Sequence, residues 1–131
     1  MEYPGDYGNI LKKYLETTLE PAIMENKIHY IVWAHSASTH ITEDFGELLT
    51  TEQWLECSTL FYSWVKKVSE RRGKPVPIVT LMSGGNRSDD INSVLGLHSK
   101  DLTLGIDILT MSKTGYNPVV KPRIKKYYIT F

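Results

Sequence analysis

The 131-residue chain contains a single cysteine, Cys57. This excludes an internal disulfide and leaves any metal site dependent on histidines and carboxylates. No apolar run approaches the ~20 residues that a membrane-spanning helix requires. The opening MEYPGDYG has the character of neither a signal peptide nor a transit peptide, so an intracellular setting, cytoplasmic or nuclear, is expected. Gly-x4-Gly-Lys-Ser/Thr is absent, as is Gly-x-Ser-x-Gly, so neither a P-loop nor a nucleophile elbow is available. No internal repeat, low-complexity tract or flexible linker divides the chain. A single domain over 1–131 is expected, long enough for a real core.

The net charge is zero, but it is unevenly spread. Residues 1–60 carry three Lys/Arg against ten Asp/Glu, a charge of −7, and residues 61–131 carry twelve against five, +7. No acid follows Asp107, whereas Lys113, Lys121, Arg123, Lys125 and Lys126 do. A basic tail of this kind suits nucleic acid, and equally suits an edge strand kept soluble by lysines. The second reading is preferred, because the tail is short and the whole chain is not basic.

The remaining residues alternate between two periods. Ile10, Leu11, Tyr14, Leu15, Thr18 and Leu19 fall at helical spacing and predict a helix over 9–24, with Pro21 breaking or kinking its last turn. IHYIVWA, 28–34, predicts a short strand. A polar loop over 35–49 follows. Thr51 and Gln53 open a long helix striped by Trp54, Leu55, Leu60, Phe61, Trp64, Val65 and Val68, ending at Arg71-Arg72-Gly73. Ile78–Met82 predicts a second strand. Asp89 or Asp90 caps a third helix beginning near Ile91, and a further helical stretch covers about 99–111. RIKKYYITF, starting after Pro122, predicts a last strand. Its apolar residues Ile124, Tyr127 and Ile129 do not share one parity, which implies a bulge or a two-sided environment. Helix, strand, helix, strand, helix is the order of an α/β sheet with helices on its faces.

In such sheets ligands meet the loops at the C-terminal ends of the strands. His35, His40 and Asp44, with Ser36, Ser38, Thr39 and Glu43 between and beside them, make a weak candidate metal or nucleophile site. The bland reading, a polar loop with a hydrogen-bonded histidine, is favoured. Ser83, Gly84, Gly85 and Asn86 end the second strand. Their backbone N–H groups are candidates to cradle an anion, and the alternative is a tight turn that needs glycine at positive φ. Cys57, Trp33, Trp54 and Trp64 read as core, and His98 as a packing or partly exposed residue.

Four segments together resemble the C-terminal part of the zinc-dependent histone deacetylases, in the arginase/deacetylase superfamily, closest to the class IV type. Asp6-Tyr7 with LKKYLETTLEPAI resembles the family's helix before a late core strand. HYIVWAHSASTH stands where the family has a strand running into Ala-Gly-x-Asp. DFGELLTTEQW resembles the Asp-x-Leu-Gly-Gly-Leu loop, and RGKPVPIVTLMSGGN the strand ending in Gly-Gly-Tyr. The resemblance covers about 5–110, leaving the basic segment of about 119–131 outside it. It implies a three-layer αβα fold with a mostly parallel sheet. It also implies lost chemistry. Ala37 stands at the position of the zinc-binding aspartate and offers no ligand atom. Asn86 stands at that of the transition-state tyrosine and is too short to replace a phenol. The family's His-His dyad and first ligand pair lie upstream of the matched region, where this chain has no room for them.

The expectation is therefore a catalytically inactive deacetylase-like domain without a cofactor, serving as an interaction, scaffold or assembly module with a protein partner or in a homo-oligomer, away from membranes. Two alternatives stand beside it: a zinc-dependent deacetylase or amide hydrolase with a site rebuilt on His35, His40 or Asp44, with His35 and Asn86 as its candidate catalytic residues, and an anion- or nucleotide-binding module at Ser83–Asn86. The final strand is expected to dock at a sheet edge, within its own chain or in a second one.

Overall fold

A computed structural model describes residues 6–40, 49–85 and 90–110. Asp44, Asn86 and the basic segment of 119–131 lie outside the described residues, and so do the expectations attached to them, the nucleic-acid reading of that segment included.

The first helical segment runs without interruption from Asp6 to Met24 in three parts. Helix α1 spans Asp6–Tyr14, a π-helical turn spans Leu15–Leu19, and α2 spans Glu20–Met24. Pro21 accounts for the middle part. Its ring would collide with the carbonyl four residues back and it donates no hydrogen bond. The wider turn, in which the Glu20 N–H reaches Leu15 O, removes that collision. The break or kink expected at Pro21 takes the form of this wider turn, and the helix continues to Met24. Asn26, at φ 58°, ends α2, with Lys27 N–H reaching back to Ala22 O at 2.8 Å, a left-handed stop of the kind Asn tolerates.

Strand β1, Ile31–Ser36, pairs in parallel with β2, Ile78–Ser83, in a register running from Ile31↔Ile78 to Ser36↔Ser83. Parallel neighbours need a crossover, supplied by α3, Thr51–Arg72. Thr50 caps α3 in a reciprocal capping box with Gln53, and Gly73 closes it at φ 74°. Helix α4 spans Ile91–Thr110 without interruption. The two helical stretches read from the sequence are one helix that carries Gly96 within it, and Asp90 Oδ1 accepts from Ser93 N–H at its start. β1 also begins and ends later than predicted, so His35 and Ser36 belong to the strand rather than to a loop.

One face of the strand pair is packed. Phe61 of α3 stacks on Trp33 at 4.0 Å and 7°. Around them Leu15, Ile23, Tyr62, Trp64, Val65, Val68 and Val76 form the main core, with Ile31 and Ile78 against it. Cys57, Trp54 and Trp64 are buried, as read from the helical stripe. Glu20 is buried beside them, accepting from Trp64 Nε1 at 3.2 Å and pairing with Arg71. α4 packs on α3, so both helices lie on the same side of the sheet. The other face presents Val32 and Val79, about half exposed, together with Ala34 and Leu81. The described residues thus form an α/β unit of two layers.

Gly84 and Gly85 have φ of 70° and 87°, as expected of a tight turn. A Cβ on Gly84 would meet Ser36, Ser38 and the Ser38 backbone, and one on Gly85 would meet Val94. Gly73 has similar φ but open space around it. Gly84→Ala and Gly85→Ala are therefore expected to destabilise by more than the ~1 kcal/mol of left-handed strain alone, and Gly73→Ala by about that strain. Urea unfolding of the three variants measures the difference.

Candidate functional site

The chemistry-bearing residues converge at the C-terminal end of β1, but they do so inside the protein. His35 points inward from the strand and is 3% exposed. Its ring lies parallel to that of Trp54, 3.6 Å away and tilted by 3°, with Trp33 at 4.9 Å. Trp54 is fixed in turn by its Nε1, which donates to Ser36 O at 3.0 Å. His35 Nδ1 lies 3.2 Å from Ser58 Oγ and 3.8 Å from Asp101 Oδ1. Tyr62 OH donates to Asp101 Oδ2 at 3.3 Å. His98 stands one helical turn before Asp101 on α4, close to the Ser83 backbone at the end of β2. All five of these side chains are buried.

Helix spacing explains how they meet. Ser58 and Tyr62 are four residues apart on the apolar face of α3, and His98 and Asp101 three apart on α4. Gly105 allows α4 to come close, because a Cβ there would stand 2.6 Å from the Tyr62 ring.

Charges follow from the enclosure. Burial by itself would raise the Asp101 carboxyl. The nearby His35, with the Ser58 and Tyr62 hydroxyls, outweighs it and holds the group below the ordinary carboxylate value. At 3.8 Å the His35 contribution is attraction across a gap rather than a formed hydrogen bond. Burial, with the neighbouring Asp101, pushes the Tyr62 phenol up to about 12, so it remains a donor. Burial lowers His98 and outweighs the opposing pull of Asp101. Cys57 is raised by burial and by Glu56, which makes it an inert thiol.

Serine, histidine and aspartate within reach of one another invite comparison with a nucleophilic triad. Such a triad uses both ring nitrogens, one toward the serine and one toward the acid. Here both oxygens face Nδ1, while Nε2 has no hydrogen-bond partner among the described residues. Ser58 is 0% exposed, so its hydroxyl is closed to solvent. The arrangement is a polar knot in the core.

The residues singled out in the sequence separate accordingly. His35 joins the knot. His40 does not: its Nε2 lies 2.7 Å from Thr51 Oγ1 at the start of α3, beside a cleft of ≈ 280 Å³ that Ser93, Val94 and Lys100 also line. No cluster of three or more His, Cys, Asp or Glu able to hold a metal occurs among the described residues. Ser83, Gly84 and Gly85 lie together at the end of β2, but the Gly85 N–H is directed at Ser38 Oγ, 3.4 Å away. That N–H is turned toward the neighbouring loop, not outward toward an anion. The sequence reading assigned no role to Ser58, Tyr62 or Asp101. The available signal was that polar residues occupied buried helical positions, Ser58 and Tyr62 between Trp54 and Val65.

No described helix is long and apolar enough to cross a membrane. No family model, curated protein or solved structure matches the chain.

The two shifted groups make the same prediction about acid. His98 has a folded pKa below its unfolded value, so the unfolded chain takes up the proton first, and stability falls as pH drops below about 6.5. Asp101 is also depressed. Its contribution is present above the ordinary carboxylate value and is lost as pH falls further, through its folded value. Melting temperature is expected to decline in two stages on acidification, and His98→Gln to remove the upper stage selectively. Melts across pH on both proteins check this.

Proposed function

We propose that the chain is a catalytically inactive domain of deacetylase type that works as an assembly module, joining through the bare face of its sheet. The observation that carries this reading is that face. Parallel strands are ordinarily covered on both sides. Here Val32, Ala34, Val79 and Leu81 stand on the open side, without a charged residue among them. Burying such a surface contributes on the order of 25 cal/mol per Å². The partner proposed is a second copy of the chain. The face is neutral and apolar, and the chain's net charge is zero, so self-association meets no like-charge barrier.

Inactivity is supported by the sealed polar knot and by Ala37, which is buried and ligand-free at the position that the resemblance assigns to a zinc-binding aspartate. A rebuilt hydrolase site on His35 and His40 finds less support, since one is locked against Trp54 and the other against Thr51.

Purified protein is expected to contain no stoichiometric zinc by elemental analysis and to release no acetate from acetyl-lysine peptides. About one zinc per chain, lost with activity in His35→Ala, defeats the pseudoenzyme reading. Light scattering is expected to show a mass above that of the monomer, and the Val79→Lys, Leu81→Lys double variant to return it to the monomer. The cost in strand stability should be no more than about 1 kcal/mol. A monomeric parent at every concentration defeats the assembly reading.

A further inference from the structure

A second uncovered surface lies apart from the sheet face. On α4, the residues turned toward the core are Val94, Leu97, Asp101, Gly105 and Ile108. At about 100° per residue, Ile91, Leu95, Leu102, Ile106 and Leu109 fall together in an arc beside them. All five are exposed, Ile106 to 62%. The side on which the arc lies decides what it faces. Going round the helix from Asp101, His98 comes first and then the arc. His98 lies close to the Ser83 backbone of β2. The arc therefore continues past β2, over the position next to that strand's free edge. That edge is unpaired among the described residues, since the sheet order is β1-β2.

Topology specifies what belongs there. β1 crosses to β2 through α3, and α4 lies on the same side of the sheet as α3. Crossovers in one sheet share one hand. A strand following α4 therefore continues in the direction from β1 to β2, onto the free edge of β2 and under the arc. α4 starts near the C-terminal end of β2 and runs ~30 Å back, so the chain leaves Thr110 where a parallel strand would begin.

From these placements we infer that residues 122–131 of the same chain occupy this edge as a third parallel strand beneath the apolar arc of α4. Eleven residues, 111–121, are available to make the turn, with Gly115, Asn117 and Pro118 among them. A ten-residue strand spans ~33 Å, enough to match the six residues of β2. Pro122 stands at the first position, where a strand accepts proline. The mixed parity of Ile124, Tyr127 and Ile129 suits a strand with an apolar environment on both faces. Arg123, Lys125 and Lys126 suit the new outer edge, which they protect from further pairing.

Hydrogen exchange of the full chain, read by mass spectrometry on peptides from 122–131, tests this separately from the sheet-face proposal, which is read by mass alone. The segment's amides are expected to exchange at least about tenfold more slowly than an unstructured chain, equally at high and low protein concentration. Ile106→Asp, an exposed substitution, is expected to abolish that protection while the amides of α3 retain theirs. Leu95→Asp serves as a second variant of the same arc. Exchange at the unstructured rate in the parent overturns the inference. So does protection that both variants leave intact, and so does protection that disappears on dilution, which would make the occupant a second copy's segment.

Discussion

The structure depends on one packing contact, the face of α3 against the inner face of β1. Phe61 lies flat on Trp33, and Trp54 lies flat on His35. These two stacks, two turns apart on the helix, set both the distance of the helix from the sheet and its rotation. With that rotation fixed, Ser58 and Tyr62 can only point at the space between sheet and α4, and Asp101 arrives there from the other side. The polar knot is a consequence of aromatic packing. It also gives that packing a unique register, since a slipped helix would leave a buried carboxylate without its donors.

Much of this was legible beforehand. The apolar stripe from Trp54 to Val68 specified α3, and the capping residues at its start and Gly73 at its end set its limits almost to the residue. The apolar run of β-branched and aromatic residues in the first strand and the apolar run in the second specified the strands, and the glycine pair specified a turn at positive φ. Three things were not legible, each for a physical reason. Pro21 was expected to break or kink the last turn, and a π turn before it was not foreseen, because it depends on how the wider turn accommodates the proline ring. His35 was assigned to a loop because Ser36, Ala37 and Ser38 have no strand character. Pairing with Met82 and stacking on Trp54 extend the strand through His35 to Ser36, and Ala37–Thr39 then form a 3-10 turn. Asp101 was passed over because charge on a helix normally means solvent, and only the facing Tyr62 and His35 show otherwise.

The same facts bear on function. Among the described residues, His35, Ser58, Tyr62, His98 and Asp101 are turned inward against one another, while apolar residues with no core partner are turned outward on the sheet and on α4. The exposed apolar surfaces are those on which the proposed assembly rests. The opposed charges of the two halves add nothing to this distribution, because the bare sheet face contains no charge.

The most direct test is whether the histidine at the end of β1 is closed to solvent. Treating the folded protein with an imidazole-acylating reagent and mapping the products by mass spectrometry compares His35 with the exposed His29. The account predicts rapid modification of His29, and none of His35 or His98 until the protein is unfolded. Modification of His35 in the folded state at a rate close to that of His29 would contradict it, since an imidazole open to a small electrophile is also open to a substrate.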